Sequence, residues 1–452
     1  MTPTSGWVVP PESTSRLPDP TVVLPALADI AIVGGGILGL AAAYKLLQAL
    51  PGVSVVILEK EPEVGRHQSG HNSGVLHAGL SYAPGSAKAR LAADGIRQMV
   101  DFCRRLDIPH EICGKLVIAT EASQVAPLRA LQERGTRNGL QRLTWLDRTE
   151  IAHYEPHAAG VAALRVPEEG IVDYSAVCHA LVREIGILGG QLFTGAKLHR
   201  LRRERAAWHL ATTQGELSAK VLVNCAGLQA DRVARMAGAR LDLRIVPFRG
   251  QYYALRPHRR HLVRHLIYPV PDPRFPFLGL HLTRHISGVV DAGPNAMIAL
   301  AREGYRGRDV SLRDAAEMIG YLGLWRFLAR HPRLVSRELA LTLWREGFAR
   351  GLQRLVPEIR AADLVPAGAG VRAQAMRADG RLVGDFVFVT SDAAVHLLNA
   401  PSPAATAALA IGDEVARRVS DTLGRSSVSV RGPAVTEVRS GQGPVADGRQ
   451  RF

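Results

Sequence analysis

The period of apolar positions changes several times along the chain, and each change predicts an element. Residues 30–33 form an unbroken apolar run, as in a buried strand, and residues 40–50 carry Ala and Leu at helical spacing up to Pro51-Gly52. Apolar, β-branched residues return at 53–58. Strand, helix and strand within about 30 residues have the length of a right-handed parallel crossover. Residues 66–85 are crowded with Gly, Ser, His and Asn and have no period, which predicts a long ordered loop. Helical spacing resumes at 86–106, while 115–120 and 219–226 read as strands, the second running into a helix from about Gln229. Beyond residue 241 the pattern becomes aromatic and proline-rich, with strands at 248–255 and 266–276 and one helix over 312–330. A glycine-rich strand pattern returns after Gly368, and a helix is predicted over 403–419.

The first crossover carries Gly34, Gly36 and Gly39 between its strand and helix, with Glu59 closing the next strand. Glycines there let the backbone approach a pyrophosphate, the helix start attracts its charge, and the carboxylate accepts from a ribose hydroxyl, which argues against a 2′-phosphate. The predicted fold class is therefore α/β, with a Rossmann-like dinucleotide-binding domain and an interleaved α+β substrate domain containing a mixed or antiparallel sheet. The binding domain is expected from 29–110, 150–240 and 360–419, and the substrate domain from 111–149 and 241–359. Residues 1–28 read as a flexible leader and 420–452 as a flexible tail, the latter without any apolar period.

A chain of 452 residues exceeds one compact core, and 47% apolar with 21% charged residues is a globular composition. Lys and Arg outnumber Asp and Glu by 56 to 41, a net charge of +15 that suits an anionic partner. Nucleic acid is disfavoured, because aromatics are only 5% and the arginines are scattered without an RNA-binding signature. Cys103, Cys113, Cys178 and Cys225 match neither a metal clip nor a disulfide framework, so no metal and a reducing cytoplasmic location are expected. No run is long and apolar enough to span a bilayer, and the leader lacks the basic start and apolar middle of a secretory signal.

Further along, HQSGHNSGVLHAGLSY at 67–82, PFRGQYYAL at 247–255, LIYPVPDPRFPFLGLHLTR at 266–284, GPNAMIALAREGY at 293–305, GVRAQ at 370–374 and NAPSPAATAALAIG at 399–412 occur in one order. With these stretches the chain, from about 29 to 419, resembles the D-amino-acid-oxidase-like FAD oxidoreductases and, within them, the L-2-hydroxyglutarate oxidase/dehydrogenases. The resemblance implies FAD as cofactor and oxidation of L-2-hydroxyglutarate to 2-oxoglutarate by hydride transfer to flavin N5. It also implies electron delivery to a quinone, oxygen or another acceptor. An amino acid, amine or glycerol 3-phosphate oxidase on the same fold is the alternative.

The resemblance assigns to the cofactor Ile37, Lys60, His67, Ser69, His71, Asn72, Ser73, Gly74, Ala226 and Gly227 beside the glycines and Glu59, and leaves open a covalent link through His67 or His71. Ser402 as N-cap, Pro403 at the first helical position, Ala404 and Thr406 would start a helix aimed at the flavin. A dianionic substrate calls for cations and polar groups: Arg372 and Arg302 first, then Arg249, Gln251, Tyr268 and Asn399. Lys88 reads as helix surface, and Tyr82 as a weak candidate for framing the site. Removing the hydroxyl proton calls for a base of near-neutral pKa, for which His77 and His281 are the candidates. Residues 321–330, YLGLWRFLAR, are basic and apolar enough to rest on a membrane beside a quinone, or else to pack inside the substrate domain.

Overall fold

The computed structural model describes residues 23–272, 278–391 and 393–426. Of the expected leader, positions 1–22 lie outside these residues, as do positions 427–452 of the expected tail.

The expected crossover forms as β1 (Leu27–Val33), α1 (Ile37–Ala49) and β2 (Val55–Leu58), with β1 and β2 parallel. β1 begins two residues inside the expected leader. It is apolar throughout its centre because both faces are covered: Ile30 and Ile32 pack with α1, whereas Ala31 and Val33 join Trp208, Leu210 and Phe193 on the other side. Among the described residues, β1 lies inside an eight-stranded sheet, flanked by β2 and Gly215–Asn224 and extended in parallel by Gln191–Phe193 and Ala394–Asn399.

The second layer is a nine-stranded mixed sheet. Its longest pairing runs antiparallel between Leu243–Leu255 and Leu364–Arg377, while Leu266–Pro269 pairs in parallel with Lys115–Ala119. Ala162–Val166 and Leu364–Arg377, expected in the cofactor domain, pair into this sheet instead. Which sheet each joins is set by the strand it pairs with, Lys115–Ala119 for the first and Leu243–Leu255 for the second, and sequence distance from β1 has no bearing on it. Val75–Leu76, Gly170–Val172 and His110–Glu111 make a small third sheet.

Several elements differ from their sequence patterns. The single helix expected over 312–330 is two, Leu312–Ile319 and Leu322–Arg330, broken at Gly320. Of the strand expected over 266–276, Leu266–Pro269 forms and 270–272 is not strand, while positions 273–276 lie outside the described residues. The helix expected at 403–419 is Ala408–Ser426, so it starts five residues later and runs into the expected tail. Pro401 and Pro403 contribute no N–H donors, and the chain there folds as turns closed by Ala404 N–H to Pro401 O and Ala407 N–H to Pro403 O, both 3.0 Å. The helix that follows crosses α1 at Gly412, where a Cβ would stand 2.6 Å from the Ala41 carbonyl oxygen.

Candidate active site

A cavity of about 1620 Å³ runs between the two large sheets, from the glycine turn to the strands of the second layer. At its first end Gly34 has φ +109°, and a Cβ on Gly39 would lie 1.9 Å from the Gly34 carbonyl oxygen, so α1 seats directly on the turn. Gly36 caps α1 without a side chain; the cap comes from Ser69, whose Oγ accepts from Ile37 N–H at 2.9 Å. Glu59 is buried with its carboxylate accepting from Gly35 N–H at 2.6 Å and Glu61 N–H at 2.9 Å. These bonds hold the acid against the turn on the cavity wall, which Glu59, Gly34 and Gly36 all line. A helix start reached through glycines and a fixed carboxylate fit the pyrophosphate and ribose of a dinucleotide.

The loop after β2 is held by its own polar groups. Lys60 Nζ bonds Glu61, lies 2.8 Å from His67 Nε2, and donates to Glu303 at 3.0 Å. His67 Nδ1 meets the Tyr305 hydroxyl at 3.0 Å, and the His71 ring stacks on Tyr305 with centroids 4.2 Å apart. Asn72 donates to the Ser69 carbonyl at 2.6 Å and accepts from Gly74 N–H at 2.8 Å, so its side chain serves the loop's shape. Ser73, Ala226 and Gly227 line the cavity, whereas Gly74 packs its backbone near the Val172 carbonyl, where a Cβ would be 2.9 Å away. Glu303 and Tyr305 lie far along the chain, inside the family-like stretch 293–305, where Arg302 was singled out and they were not.

At the other end, His77, Tyr268, His281 and Arg372 line one region of the cavity. His77 is held twice: its N–H donates to Thr406 Oγ1 at 3.1 Å, and its Nδ1 lies 3.3 Å from Glu169 Oε2. Glu169 is 1% exposed and also receives Lys115 Nζ at 2.7 Å. Burial alone would raise the Glu169 carboxyl; Lys115 and His77 outweigh it and hold it down to about 2. The Tyr268 ring sits 4.2 Å from His281 and 6.4 Å from His77, with Lys115 Nζ 5.0 Å over its face. His281 Nδ1 is 2.9 Å from the Gly279 carbonyl oxygen, which can only accept. Burial, reinforced by the charges of Arg372 and Lys115, pushes His281 down to about 3. Arg372 bonds the Tyr252 hydroxyl, and burial raises that phenol.

Four expected substrate contacts fall elsewhere. Arg302 is 3% exposed and pairs with both carboxylate oxygens of Asp231 while donating to the Leu228 carbonyl at 2.6 Å; it pins the loop at 302 to the helix Ala230–Met236. Asn399 accepts from Ala375 N–H at 3.0 Å and donates to the carbonyls of Val383 and Asp385, so all its capacity goes to backbone. Arg249 and Gln251 alternate with Gly250 and Tyr252 on one strand, and it is the latter pair that line the cavity. Gln251 instead donates its N–H to Asn295 Oδ1 at 2.7 Å. Ser402, Pro403, Ala404 and Thr406 do line the cavity, but as turns preceding the helix rather than its first residues. Lys88, expected on a helix surface, also faces the cavity, with Nζ 4.6 Å over the Tyr82 ring.

Lys115 and Glu169 were missed altogether. They stand 54 positions apart and meet because Lys115–Ala119 pairs with Ala162–Val166, with Gly114 N–H donating to the Glu169 carbonyl at 2.8 Å.

A βαβ glycine turn with an acid placed for a ribose, opening into a cavity that ends in histidines and cations, defines a dinucleotide-dependent oxidoreductase. The family model described as FAD dependent oxidoreductase (DAO) matches residues 29–418. The chain is 45% identical over 388 residues to the L-2-hydroxyglutarate dehydrogenase of Indibacter alkaliphilus, covering 86% of this chain and 97% of that one. It is 42% identical over 400 residues to the L-2-hydroxyglutarate dehydrogenase of Escherichia coli K12, covering 88% and 94%. Among solved structures, the FAD-bound, dithionite-reduced L-alpha-glycerophosphate oxidase of Mycoplasma pneumoniae superposes with a TM-score of 0.71 at 22% identity, covering 87% of this chain and 95% of that one. Glycine oxidase from Geobacillus kaustophilus superposes at 0.67 and 19% identity, covering 88% and 95%. The chain belongs to the DAO family of FAD-dependent oxidoreductases and, within it, to the family of the L-2-hydroxyglutarate dehydrogenases. FAD is its cofactor.

Proposed function

We propose that this enzyme oxidises L-2-hydroxyglutarate to 2-oxoglutarate, with His77 as the general base. The observation that carries the chemistry is the buried Lys115–Glu169 pair holding the partly exposed His77 in the cavity. FAD, when bound, supplies the acceptor for the two electrons and the α-hydrogen of the substrate. Glu169 orients His77 through Nδ1 and leaves Nε2 to receive the hydroxyl proton, and its negative charge stabilises the imidazolium that results. Lys115 keeps Glu169 ionised throughout. His281, whose pKa burial depresses, stays neutral at working pH and is a poor base; its role is to accept a hydrogen bond through Nε2. Arg372 receives the carboxylate next to the reacting carbon.

Anaerobic mixing tests the reading directly. L-2-hydroxyglutarate should bleach the flavin, while sarcosine, glycine, D-alanine and glycerol 3-phosphate should leave it oxidised. Bleaching by one of the others with none by L-2-hydroxyglutarate assigns the site to that substrate instead.

For the electron acceptor we propose a quinone reached at a membrane surface, in a cytoplasmic enzyme. Leu312, Ile319, Leu322 and Trp325 are all more than half exposed on two consecutive helices that also carry Arg313, Arg326 and Arg330. Among the described residues no helix is long and apolar enough to cross a membrane. Co-sedimentation with anionic vesicles should be salt-sensitive and should weaken in Trp325→Ser; failure to sediment removes the membrane half of the proposal.

A further inference from the structure

We propose that Lys88 is the cation that receives the distal carboxylate of the substrate, making the site selective for dicarboxylic over monocarboxylic hydroxy acids. This rests on the reaction proposed above and names the part of the cavity that reads the far end of the molecule.

Lys88 lies in the first turn of the helix Ala87–Arg105, which begins at the cavity wall. The acid nearest to it is already engaged: Asp385 accepts from the N–H groups of Ala87 at 3.1 Å, Lys88 at 2.9 Å and Phe386 at 2.8 Å. The Lys88 ammonium makes no ion pair with a described residue and rests over the ring of Tyr82, whose hydroxyl is bonded to Ser402 and feels the charge of Glu169. Lys88 is therefore at the substrate end.

The other cations of the cavity are engaged or lie at its nucleotide end: Arg66 pairs with Glu63 at 3.2 Å, Arg235 pairs with Asp231 at 3.0 Å, Arg244 donates to the Glu317 carbonyl at 3.1 Å, and Lys197 follows Ala196, whose N–H donates to the Glu59 carbonyl at 2.8 Å. Lys115 is held by Glu169 at 2.7 Å, Lys60 by Glu303 at 3.0 Å, Arg232 by Glu317 at 2.7 Å, and Arg313 by Glu317 at 3.2 Å. With Arg372 taken by the carboxylate beside the reacting carbon, a dianion still needs a second positive partner to offset the cost of leaving water. Lys88 is a partly desolvated ammonium that needs an anion in turn. Burial lowers it to about 8, with Asp385 opposing that shift.

The test is binding of two unreactive acids to the holoenzyme, glutarate and pentanoate, followed by perturbation of the flavin spectrum. Both have five carbons and differ in the distal carboxylate. Wild type should prefer glutarate. In Lys88→Met that preference should fall roughly 10- to 100-fold, the usual range for losing one charge-assisted hydrogen bond, and Lys88→Arg should restore most of it. The wild-type preference should also fall as pH rises through about 8, because the ammonium loses its proton, and should persist there in Lys88→Arg. The groups facing Lys88 among described residues are Tyr82 and Asp385, and burial raises the Tyr82 phenol well above its ordinary value. An unchanged preference in Lys88→Met, an equal loss for both acids, or no glutarate preference in wild type overturns the assignment. Because neither acid is oxidised, this result is separate from whether L-2-hydroxyglutarate bleaches the flavin.

Discussion

In His77→Asn, the anaerobic reduction of the flavin by L-2-hydroxyglutarate should slow by roughly 10²- to 10⁴-fold, the contribution of a positioned general base, while FAD remains bound. The reason lies in how His77 is held. Glu169 engages one ring nitrogen and Thr406 fixes the backbone at 3.1 Å, so the second nitrogen has a defined direction before substrate arrives. His281→Asn should lose much less, because a histidine lowered to about 3 by burial holds a proton poorly. Rapid-mixing absorbance on both variants separates the two. If His281→Asn proves the slower, the base is His281; if both match wild type, neither residue is the base.

The second large effect concerns Lys115 and Glu169. Removing one member of a buried ion pair strands the other, at a cost of about 3–5 kcal/mol. Lys115→Met should therefore lower the unfolding midpoint strongly, and Glu169→Gln should do so while also slowing flavin reduction, since His77 loses its orienting charge. The double variant should recover much of the stability of the single ones and none of the rate. The pair also sets an acid limit. Glu169 is held at about 2 against an ordinary 4.5, so the unfolded chain takes up its proton first on acidification. Its contribution to stability is full above 4.5 and is lost as pH falls toward 2. His281 adds in the same direction between 6.5 and about 3, because the unfolded chain protonates this histidine and the folded one resists. Glu169→Gln should therefore flatten the acid limb of stability below pH 4.5, measured by denaturant titration. A limb of unchanged slope would show that the pair does not carry it.

The expected residues that reached the cavity share a property: each follows from a short stretch whose backbone or neighbours constrain it. Gly34 and Gly36 need only their own turn, and His77 lies in a segment whose small residues allow close approach to a cofactor. Arg302 and Asn399 also lay in family-like segments, yet both are buried anchors. A buried arginine or asparagine holding the protein together looks the same in one dimension as one facing a ligand. Arg249 and Gln251 missed by a single position, because which of two alternating strand faces meets the cavity depends on how Leu243–Leu255 lies against Leu364–Arg377. Lys88 missed in the opposite sense, since nothing local distinguishes the side of a helix that faces a cavity from the side that faces water.

By itself the amino-acid order determined the nucleotide-gripping crossover, the change to a second sheet, and a dinucleotide as cofactor. Those features are written in contiguous residues through local steric and charge requirements. Tertiary structure alone decided which charges meet at the reacting end. Lys115, Glu169 and His77 come from three separate segments, and strand pairing brings them together. Their burial then makes each depend on the others, because a charge taken out of water must find its partner wherever the fold has placed it.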